Sequence, residues 1–266
     1  MYKITIVTVT YNCEESIEKT MLSVLNQIDE NYEYILIDGE STDKTLEKIL
    51  EIKNKYIKKE IKVISEKDKG IYDAMNKGIE LSQGEWIYFL NSGDFFVNNE
   101  VISNVFQKNI NAENAEILYG DIILTHPKYG VIKRKSKKIN LIKNGMVFYH
   151  QGAFVKTYLM KENLFNLKYK ICADYNFFYS MYKKKIRFKK YDLSIALYDL
   201  TGLSSQNRKQ LVSEKYDILK KDLKIIEKNL LLGSLFKEHV KNILPNKFQK
   251  LIKERSLKKI FNKGEN

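Results

Sequence analysis

In the first third of the chain, runs of β-branched and other apolar residues alternate with segments in which apolar residues recur at helical spacing. The runs predict strands at 4–10, 34–38, 61–64 and 86–90, and the segments between them predict helices at 16–27, 42–56 and 71–82. Strands joined in this way lie parallel, and helices cover both faces of a parallel sheet. The pattern therefore predicts an α/β fold with a Rossmann-like, mostly parallel sheet flanked by helices.

The pattern becomes less regular after Asp94 and changes again near the C-terminus. We expect a helix at 101–109, a strand at 117–121, a hairpin through 131–133, a helix at 174–184, and strand segments near 188 and at 195–198. From Lys209 onward, apolar residues recur at helical spacing. The chain is therefore predicted to consist of a body at 1–205 and a basic amphipathic helical appendage at 206–266, here called the C-terminal segment.

Composition excludes several classes of protein. With 44% hydrophobic residues the chain has enough apolar material for a core, and its 2 cysteines cannot build a disulfide scaffold. Few cysteines are typical of a reducing compartment, so we expect a cytoplasmic protein. No apolar run is long enough to cross a membrane, and the N-terminus leads into a strand rather than a signal peptide. We therefore expect neither a membrane-spanning nor a secreted protein.

The net charge of +13 is unevenly distributed along the chain. Residues 207–266 contain 16 Lys and Arg against 7 Asp and Glu, a balance of +9, which leaves +4 for the rest. A strongly basic chain can indicate a nucleic-acid-binding protein. Here the excess lies in the C-terminal segment and the predicted strand ends of the body are acidic, so we expect no nucleic-acid partner.

Polar and acidic residues follow the predicted strands, where open parallel sheets bind their ligands. They are Tyr11 and Asn12, and the runs 38–41, 66–70 and 91–94. Acidic groups that converge in one crevice are costly unless they share a cation or hydrogen-bond donors. Because oxygen ligands suit magnesium and manganese, we expect a divalent metal, Mn or Mg, or a ligand rich in donors.

These residues belong to five strings that follow one another along the body. The strings are VTVTYN at 7–12, IDGESTD at 37–43, DKGIYDAMNKG at 68–78, GEWI at 84–87 and FLNSGD at 89–94. Together they resemble the family 2 glycosyltransferases of the GT-A fold, of the bacterial polysaccharide-biosynthesis type, over about residues 3–205. The resemblance implies a mixed, mostly parallel GT-A sheet and a nucleotide-sugar donor.

The resemblance also implies roles for individual residues of the donor site. Asp38 would contact the nucleotide base, with Tyr11 close to the same ring; an Asx turn leading into the next helix is the alternative for Asp38. The resemblance also places further residues in the donor site. These residues are Thr10, Asp68, Asp73, Asn76, Asn91, Ser92 and His150. A plain turn is the alternative role for Asp68, capping of neighbouring loops is the alternative for Asp73 and Asn76, and a buried histidine is the alternative for His150.

The expected metal motif departs from the family pattern. The family usually carries an Asp-rich cluster after the fourth strand, whereas this chain has Asn91, Ser92, Gly93 and Asp94. Asp94 alone keeps the carboxylate that would coordinate the metal and bridge it to the donor diphosphate. One carboxylate together with phosphate oxygens and waters is an ordinary set of ligands for Mg²⁺. A simple helix cap before Phe95 is the alternative role for Asp94.

The second half of the body contains two strings that resemble the acceptor side of the family. Tyr149 to Phe154 resembles a His-Gln segment, and Cys172 to Tyr175 resembles an acidic motif whose Asp acts as the base. Ala173 stands where the family usually has Glu, but Asp174 is retained, so Asp174 is the expected catalytic base. A helix cap is the alternative role for Asp174. Glu162 and Asp121 are the next candidates for the base.

The resemblance therefore predicts an inverting glycosyltransferase, a hexosyl or N-acetylhexosaminyl transferase, with a UDP-sugar as the most common donor of such enzymes. The acceptor would be a hydroxyl of a glycan or a lipid-linked saccharide. Two alternatives remain at this point. One is a sugar-nucleotide nucleotidyltransferase, although the residues after the first strand lack a Gly-rich loop with Arg and Lys. The other is a non-catalytic basic protein that binds membranes or nucleic acid.

The end of the C-terminal segment combines basic and apolar residues in a way that suits an anionic membrane surface. The basic residues are Lys247, Lys250, Lys253, Arg255, Lys258 and Lys259, and the apolar residues are Phe248, Leu251, Ile252, Ile260 and Phe261. We expect a peripheral protein on the cytoplasmic face of the membrane. A helix packed on the body or on a second copy in a homo-oligomer is the alternative.

Overall fold

A computed structural model describes residues 2–106, 114–199, 207–243 and 246–262. Its strands are β1 (Ile4–Thr10), β2 (Tyr32–Asp38), β3 (Ile61–Ser65), β4 (Trp86–Phe89), β5 (Phe95–Phe96), β6 (Ile117–His126), β7 (Gly130–Arg134), β8 (Ala153–Lys156) and β9 (Phe188–Asp199). Its α-helices are α1 (Ile17–Leu25), α2 (Thr45–Lys55), α3 (Ile71–Leu81), α4 (Val101–Phe106), α5 (Thr157–Glu162), α6 (Ala173–Lys183), α7 (Arg208–Leu219), α8 (Ile225–Ile243) and α9 (Asn246–Asn262).

The strands form one sheet in the order β3-β2-β1-β4-β8-β6-β9-β5, with β7 paired to β6. The first four strands of this order are parallel, as the strand and helix pattern predicts. β8 is antiparallel to both β4 and β6, so that β6 and β9 again run in the direction of β4. The α/β class with a mixed, mostly parallel sheet is therefore confirmed.

The parallel half is packed on both faces by helices. β1 and β2 are buried along their whole length, which explains why β1 is apolar or β-branched throughout and why 34–37 of β2 is continuously apolar. Helix α3 approaches β1 closely, because a Cβ atom at Gly78 would lie only 2.4 Å from Cγ1 of Val7. The short gap places the start of α3 directly at the carboxyl ends of β1 and β2.

The second half differs from the sequence prediction in its short elements. β5, β8 and α5 are present although the sequence pattern does not predict them, and the two strand segments predicted near 188 and at 195–198 form the single strand β9. β6 continues to His126 and pairs with β7, so the predicted hairpin is confirmed. The predicted helix at 101–109 is present as Val101–Phe106, and the remainder of that range lies outside the described residues.

The C-terminal segment is helical, and its first helix packs on the body. Leu219 of α7 is buried in the same apolar cluster as Phe177 and Met181 of α6. The expected boundary at 205/206 lies outside the described residues, so it stays a prediction. In the described part of the chain, no helix combines the length and the apolar character needed to span a bilayer.

Helix α9 contacts the β6–β7 hairpin. The ring of Phe261 stacks on Tyr129 at 5.8 Å between ring centroids and meets His126 edge-on at 6.1 Å. Glu254 lies 3.4 Å from the ammonium group of Lys128. Part of the apolar face of α9 is therefore covered by the body.

Candidate active site

The loops after β1 and β2 are locked together by hydrogen bonds. The amide oxygen of Asn12 accepts from the Thr42 N–H at 2.9 Å, and the Ser41 hydroxyl accepts from the Asn12 N–H at 2.9 Å. Asn12 adopts a positive φ of 50°, which Asn tolerates better than most residues. The turn leaves the ring of Tyr11 59% exposed at the rim of the sheet, where a flat ligand can stack on it.

Asp38 lies at the end of β2 and is fully buried. One carboxylate oxygen accepts from the Ser41 hydroxyl, and the other accepts from the Ser41 N–H at 3.1 Å and the Ser65 hydroxyl at 2.6 Å. These hydrogen bonds match the Asx turn that the sequence analysis gives as the alternative role for Asp38. Contact with a nucleotide base stays a prediction.

Asp68 forms a small cleft together with Tyr11 and Gly39. A Cβ atom at Gly39 would lie 2.5 Å from Oδ2 of Asp68 and 3.4 Å from the Tyr11 ring, so a larger residue there would displace the Asp68 carboxylate. The other carboxylate oxygen of Asp68 accepts from the Gly70 N–H at 2.8 Å. This cleft lies at the carboxyl ends of β1 to β3, where the sequence predicts the donor.

Asp73 and Asn76 use their polar atoms to hold neighbouring backbone. Asp73 accepts from the Lys69 N–H at 2.8 Å and so caps the start of α3. The Asn76 amide exchanges two hydrogen bonds of 2.9 Å with the backbone N–H and carbonyl of Phe165. These are the structural roles that the sequence leaves open for both residues, and donor contact by either one stays a prediction.

The run after β4 forms a turn that faces α1. Gly93 has a φ of +96°, a backbone conformation that favours glycine, and its N–H donates to the Thr20 hydroxyl at 3.0 Å. The Ser92 hydroxyl lies 3.2 Å from that of Ser16. Asp94 is buried, and one of its carboxylate oxygens accepts from the side-chain amide of Gln151 at 3.0 Å. The glycine that replaces the family's acidic residue is thus the turn residue of the motif.

Three buried oxygen atoms at this edge of the sheet have no hydrogen-bond partner within the described residues. They are the Thr10 hydroxyl at the end of β1, and the side-chain carbonyls of Asn91 and Gln151; the Thr157 and Tyr191 hydroxyls elsewhere share this property. A buried polar atom without a partner is costly, so the three oxygens are candidates for contact with a bound ligand. The described residues contain no group of three or more His, Cys, Asp and Glu side chains suited to a metal. Oxygen atoms beside the single Asp94 carboxylate nevertheless fit Mg²⁺ or Mn²⁺ that shares a diphosphate.

Asp174 and His150 meet beside the metal motif. Oδ2 of Asp174 lies 3.3 Å from Nδ1 of His150, and the other His150 nitrogen, Nε2, lies 3.3 Å from the amide nitrogen of Asn91. One nitrogen of the His150 ring therefore faces Asp174 and the other faces Asn91. A continuous chain of contacts therefore joins the start of α6 to the end of β4.

The second carboxylate oxygen of Asp174 is held from two sides. Oδ1 accepts from the Tyr175 N–H at 2.7 Å and from the Tyr72 hydroxyl at 3.1 Å. Burial raises the pKa of Tyr72 well above its usual value, and the nearby Asp174 charge raises it further, so Tyr72 stays protonated and donates. The same two causes, with the charge of Glu214, raise the pKa of Cys172 to about 12. The fixed Oδ1 leaves Oδ2 as the oxygen that faces His150.

The two other candidates for the base lie in different settings. The Asp121 carboxylate is buried and accepts from the N–H and hydroxyl of Ser136, with Lys133 at 3.2 Å. Glu162 is exposed at the end of α5. Neither carboxylate is among the contacts that join Asp174, His150 and Asn91.

Sequence reasoning missed Tyr72, Gln151 and Glu214. Tyr72 and Gln151 lie inside the strings that carry the family resemblance, so their position in those strings is a signal that points to them. Glu214 lies in the C-terminal segment and matches no string. Only the packing of α7 reveals its contacts with the loop before α6.

Comparisons with known proteins identify the family of this chain. The family model described as glycosyl transferase family 2 matches residues 5–188. A PGL/p-HBAD biosynthesis glycosyltransferase of Mycobacterium bovis is 29% identical over 173 residues, which cover 63% of this chain and 65% of the relative. The UDP-Glc:alpha-D-GlcNAc-diphosphoundecaprenol beta-1,3-glucosyltransferase WfaP of Escherichia coli is 23% identical over 263 residues, covering 97% of this chain and 86% of the relative.

Solved structures show the same fold at low identity. S. aureus TarS 1–349 in complex with UDP has a TM-score of 0.65 and 19% identity, covering 93% of this chain and 77% of that chain. The mannosyltransferase PcManGT from Pyrobaculum calidifontis, in complex with GDP-Man and Mn²⁺, has a TM-score of 0.66 and 14% identity, covering 88% and 69%. The expected GT-A fold is thus confirmed.

Proposed function

The chain belongs to glycosyl transferase family 2, and from this we propose that it is an inverting glycosyltransferase that uses a UDP-sugar. The acceptor is a hydroxyl of a lipid-linked saccharide in cell-surface polysaccharide synthesis. The E. coli relative, whose name states a UDP-glucose donor and a diphosphoundecaprenol-linked acceptor, supports both choices. The family assignment speaks against the nucleotidyltransferase and the non-catalytic alternatives.

One observation carries the proposal: His150 contacts Asp174 with one ring nitrogen and Asn91 with the other. Asn91 begins the motif that ends in Asp94, and the neighbouring Gln151 bonds Asp94. The candidate base and the candidate metal motif therefore lie on two sides of one crevice. A diphosphate leaving group near Asp94 and an acceptor hydroxyl near Asp174 are compatible with this spacing.

The chemistry follows from the two sides of the crevice. The acceptor oxygen forms a bond to the anomeric carbon while the bond from that carbon to the diphosphate oxygen breaks, and the bonding electrons leave with the diphosphate. Oδ2 of Asp174 takes the acceptor proton, a role that contributes roughly 10²- to 10⁴-fold in rate. Attack from the face opposite the leaving group inverts the anomeric carbon. His150 and Tyr72 orient the carboxylate.

A divalent metal fits the residues at the end of β4. Asp94 would hold it, with the unpartnered oxygens of Asn91 and Gln151 beside it. When bound, Mn²⁺ or Mg²⁺ supplies positive charge that stabilises the departing diphosphate. Thr10 and Tyr11 line the neighbouring strand end, where the nucleotide lies.

The lipid-linked acceptor agrees with a location at the cytoplasmic face of the membrane. In the described part of the chain, α9 exposes Arg255, Lys258 and Lys259. These cations can meet anionic headgroups while Phe261 stays on the hairpin. The protein would then be peripheral on the membrane that carries its acceptor.

A donor panel tests the proposed function. Purified protein is incubated in the presence of Mn²⁺ with one donor at a time: UDP-glucose, UDP-N-acetylglucosamine, GDP-mannose or dTDP-glucose. Each reaction is run with and without a lipid-linked GlcNAc diphosphate. We expect release of UDP from one UDP-sugar, stimulated by the acceptor, and a product whose anomeric configuration is inverted. Release of nucleotide only from GDP-mannose or dTDP-glucose would correct the donor, and no release from any donor would refute the proposal.

A further inference from the structure

Helix α7 of the C-terminal segment contacts the loop that leads into α6. The Glu214 carboxylate accepts hydrogen bonds from three consecutive backbone N–H groups: Lys170 at 2.9 Å, Ile171 at 3.0 Å and Cys172 at 2.9 Å. Gln210, one turn earlier in α7, donates to the same carboxylate at 2.9 Å. A carboxylate that accepts several N–H bonds fixes the backbone that donates them.

This loop is connected to Asp174 by a second contact. The Tyr72 hydroxyl lies 2.8 Å from the Ile171 carbonyl and 3.1 Å from Oδ1 of Asp174. Ile171 is therefore held at its N–H by Glu214 and at its carbonyl by Tyr72. Because Asp174 follows only three residues later, a shift of this loop moves the carboxylate relative to His150.

A second acidic residue of α7 provides a comparison. Asp217, three residues after Glu214, contacts the Lys168 ammonium at 2.5 Å and accepts from the Tyr169 hydroxyl at 2.9 Å. It anchors the same helix to the same loop, but through side chains and farther from α6. Among the described residues, Asp217 makes no hydrogen bond to residues 170–172, so it separates anchoring of α7 from orientation of Asp174.

We propose that Glu214 is a positioning residue for Asp174, which makes α7 part of the catalytic unit rather than an appendage. The inference rests on the proposed function, since it assigns Glu214 to the base of that reaction. A misplacement of about 1 Å at a reacting group costs on the order of 10²-fold in rate. Glu214 therefore controls turnover without touching the donor.

The test compares Glu214→Gln with Asp217→Asn in the full chain. Both changes remove one charge from the same helix and keep the size of the side chain. The assay measures UDP release from UDP-glucose or UDP-N-acetylglucosamine, whichever the wild type uses, with the lipid-linked GlcNAc diphosphate as acceptor. For Glu214→Gln we expect kcat to fall at least tenfold with the donor KM unchanged within twofold. For Asp217→Asn we expect kcat within twofold of wild type at a similar melting temperature.

A double substitution separates positioning from a general structural effect. If Glu214 acts through Asp174, then Glu214→Gln should lower kcat less than twofold further in an Asp174→Asn background. The same further loss in both backgrounds, an equal kcat loss in Asp217→Asn, or wild-type kcat in Glu214→Gln would each overturn the inference.

Amide hydrogen exchange tests, independently of activity, whether Glu214 holds the backbone of residues 170–172. We expect the amides of residues 170–172 to exchange at least tenfold faster in Glu214→Gln than in wild type, and unchanged exchange would overturn the inference. If Glu214→Gln does not fold, Glu214→Asp, which retains the charge on a shorter side chain, replaces it in both measurements. A wild-type protein that releases no nucleotide refutes the proposed function, whereas an active wild type with an active Glu214→Gln refutes only the role of Glu214.

Discussion

Asp174 is held at three points, and the proposal that it acts as the base rests on this geometry. Tyr72 and the Tyr175 N–H fix Oδ1, while Oδ2 faces Nδ1 of His150. Cys172 occupies the N-cap position of α6 and Asp174 is the second residue of the helix, so Asp174 is not its N-cap. The three contacts orient the carboxylate toward the crevice, where an acceptor hydroxyl can approach it.

Substitution of Asp174 by Asn is therefore expected to separate catalysis from folding. Asn keeps the shape and can still accept the Tyr175 N–H, but it does not take a proton, so kcat should fall roughly 10²- to 10⁴-fold. Donor affinity and melting temperature should stay near those of wild type. Steady-state kinetics and calorimetry of UDP binding check this, and turnover within about threefold of wild type would move the base to another residue.

Asp94 and Asp38 should differ in how they affect nucleotide binding. Asp94→Ala is expected to remove mainly the part of UDP affinity that depends on Mn²⁺, because this carboxylate lies at the candidate metal position. Asp38→Asn should lower UDP affinity equally with Mn²⁺ and with chelator, since Asp38 shapes the turn at the end of β2. Titration calorimetry under both conditions measures the two effects. Wild-type metal dependence in Asp94→Ala would contradict the assignment.

At the scale of elements, the contact of α3 with β1 is a close helix-to-strand approach beside the site. The branched side chain of Val7 is fully buried and has no room to move away from Gly78. This contact brings Tyr72, on the first turn of the same helix, within reach of Asp174. The glycine in α3 thus sets the position of one wall of the crevice.

Two glycine substitutions in helices should therefore have opposite effects on stability. Gly78→Ala places a Cβ atom against Val7 and should lower the free energy of unfolding by about 1–3 kcal/mol, the usual cost of overpacking. Gly233→Ala in α8 meets no atom within 4 Å and should raise it by about 0.5–1 kcal/mol, because alanine favours the helix. Urea denaturation of both variants measures the two changes in the free energy of unfolding. A Gly78→Ala protein as stable as wild type would show that α3 can shift away from β1 at no cost.

The elements that the sequence pattern misses are those stabilised by distant partners. β5 has two residues and exists because Phe95 and Phe96 pair with Leu197 and Ala196 of β9. β8 has four residues and lies between β4 and β6. Periodicity needs several residues to be detected, so short strands whose pairing is non-local leave little signal. Long elements such as β1 and α3 carry their own pattern and agree with the prediction.

At the scale of the whole molecule, the uneven charge predicts how the protein meets a membrane. Replacing Lys258 and Lys259 by Glu removes positive charge from exposed positions of α9. At about 1 kcal/mol per basic residue near an anionic surface, binding to vesicles of anionic lipid should weaken at least tenfold. Vesicle sedimentation with anionic and with neutral lipid measures this.

The matched control changes the same amount of charge elsewhere. Lys55 and Lys58 are exposed near the end of α2, and their replacement by Glu alters the net charge identically. We expect this variant to bind anionic vesicles within about threefold of wild type, because each basic residue acts only within a Debye length of the surface. Equal loss in both variants would indicate a net-charge effect, and equal binding to both lipids would contradict membrane attachment through α9.

The amino-acid sequence by itself determined the parallel half of the fold, the family and the positions of the strand ends. Local patterns suffice there, because each buried strand and each amphipathic helix is encoded by adjacent residues. Only the tertiary structure decided which polar groups meet: His150 with Asp174, Asn76 with Phe165, and Glu214 with the loop before α6. These partners lie 24 to 89 residues apart in the chain. Their contacts depend on how the helices pack on the sheet, and spacing in the sequence carries no information about that packing.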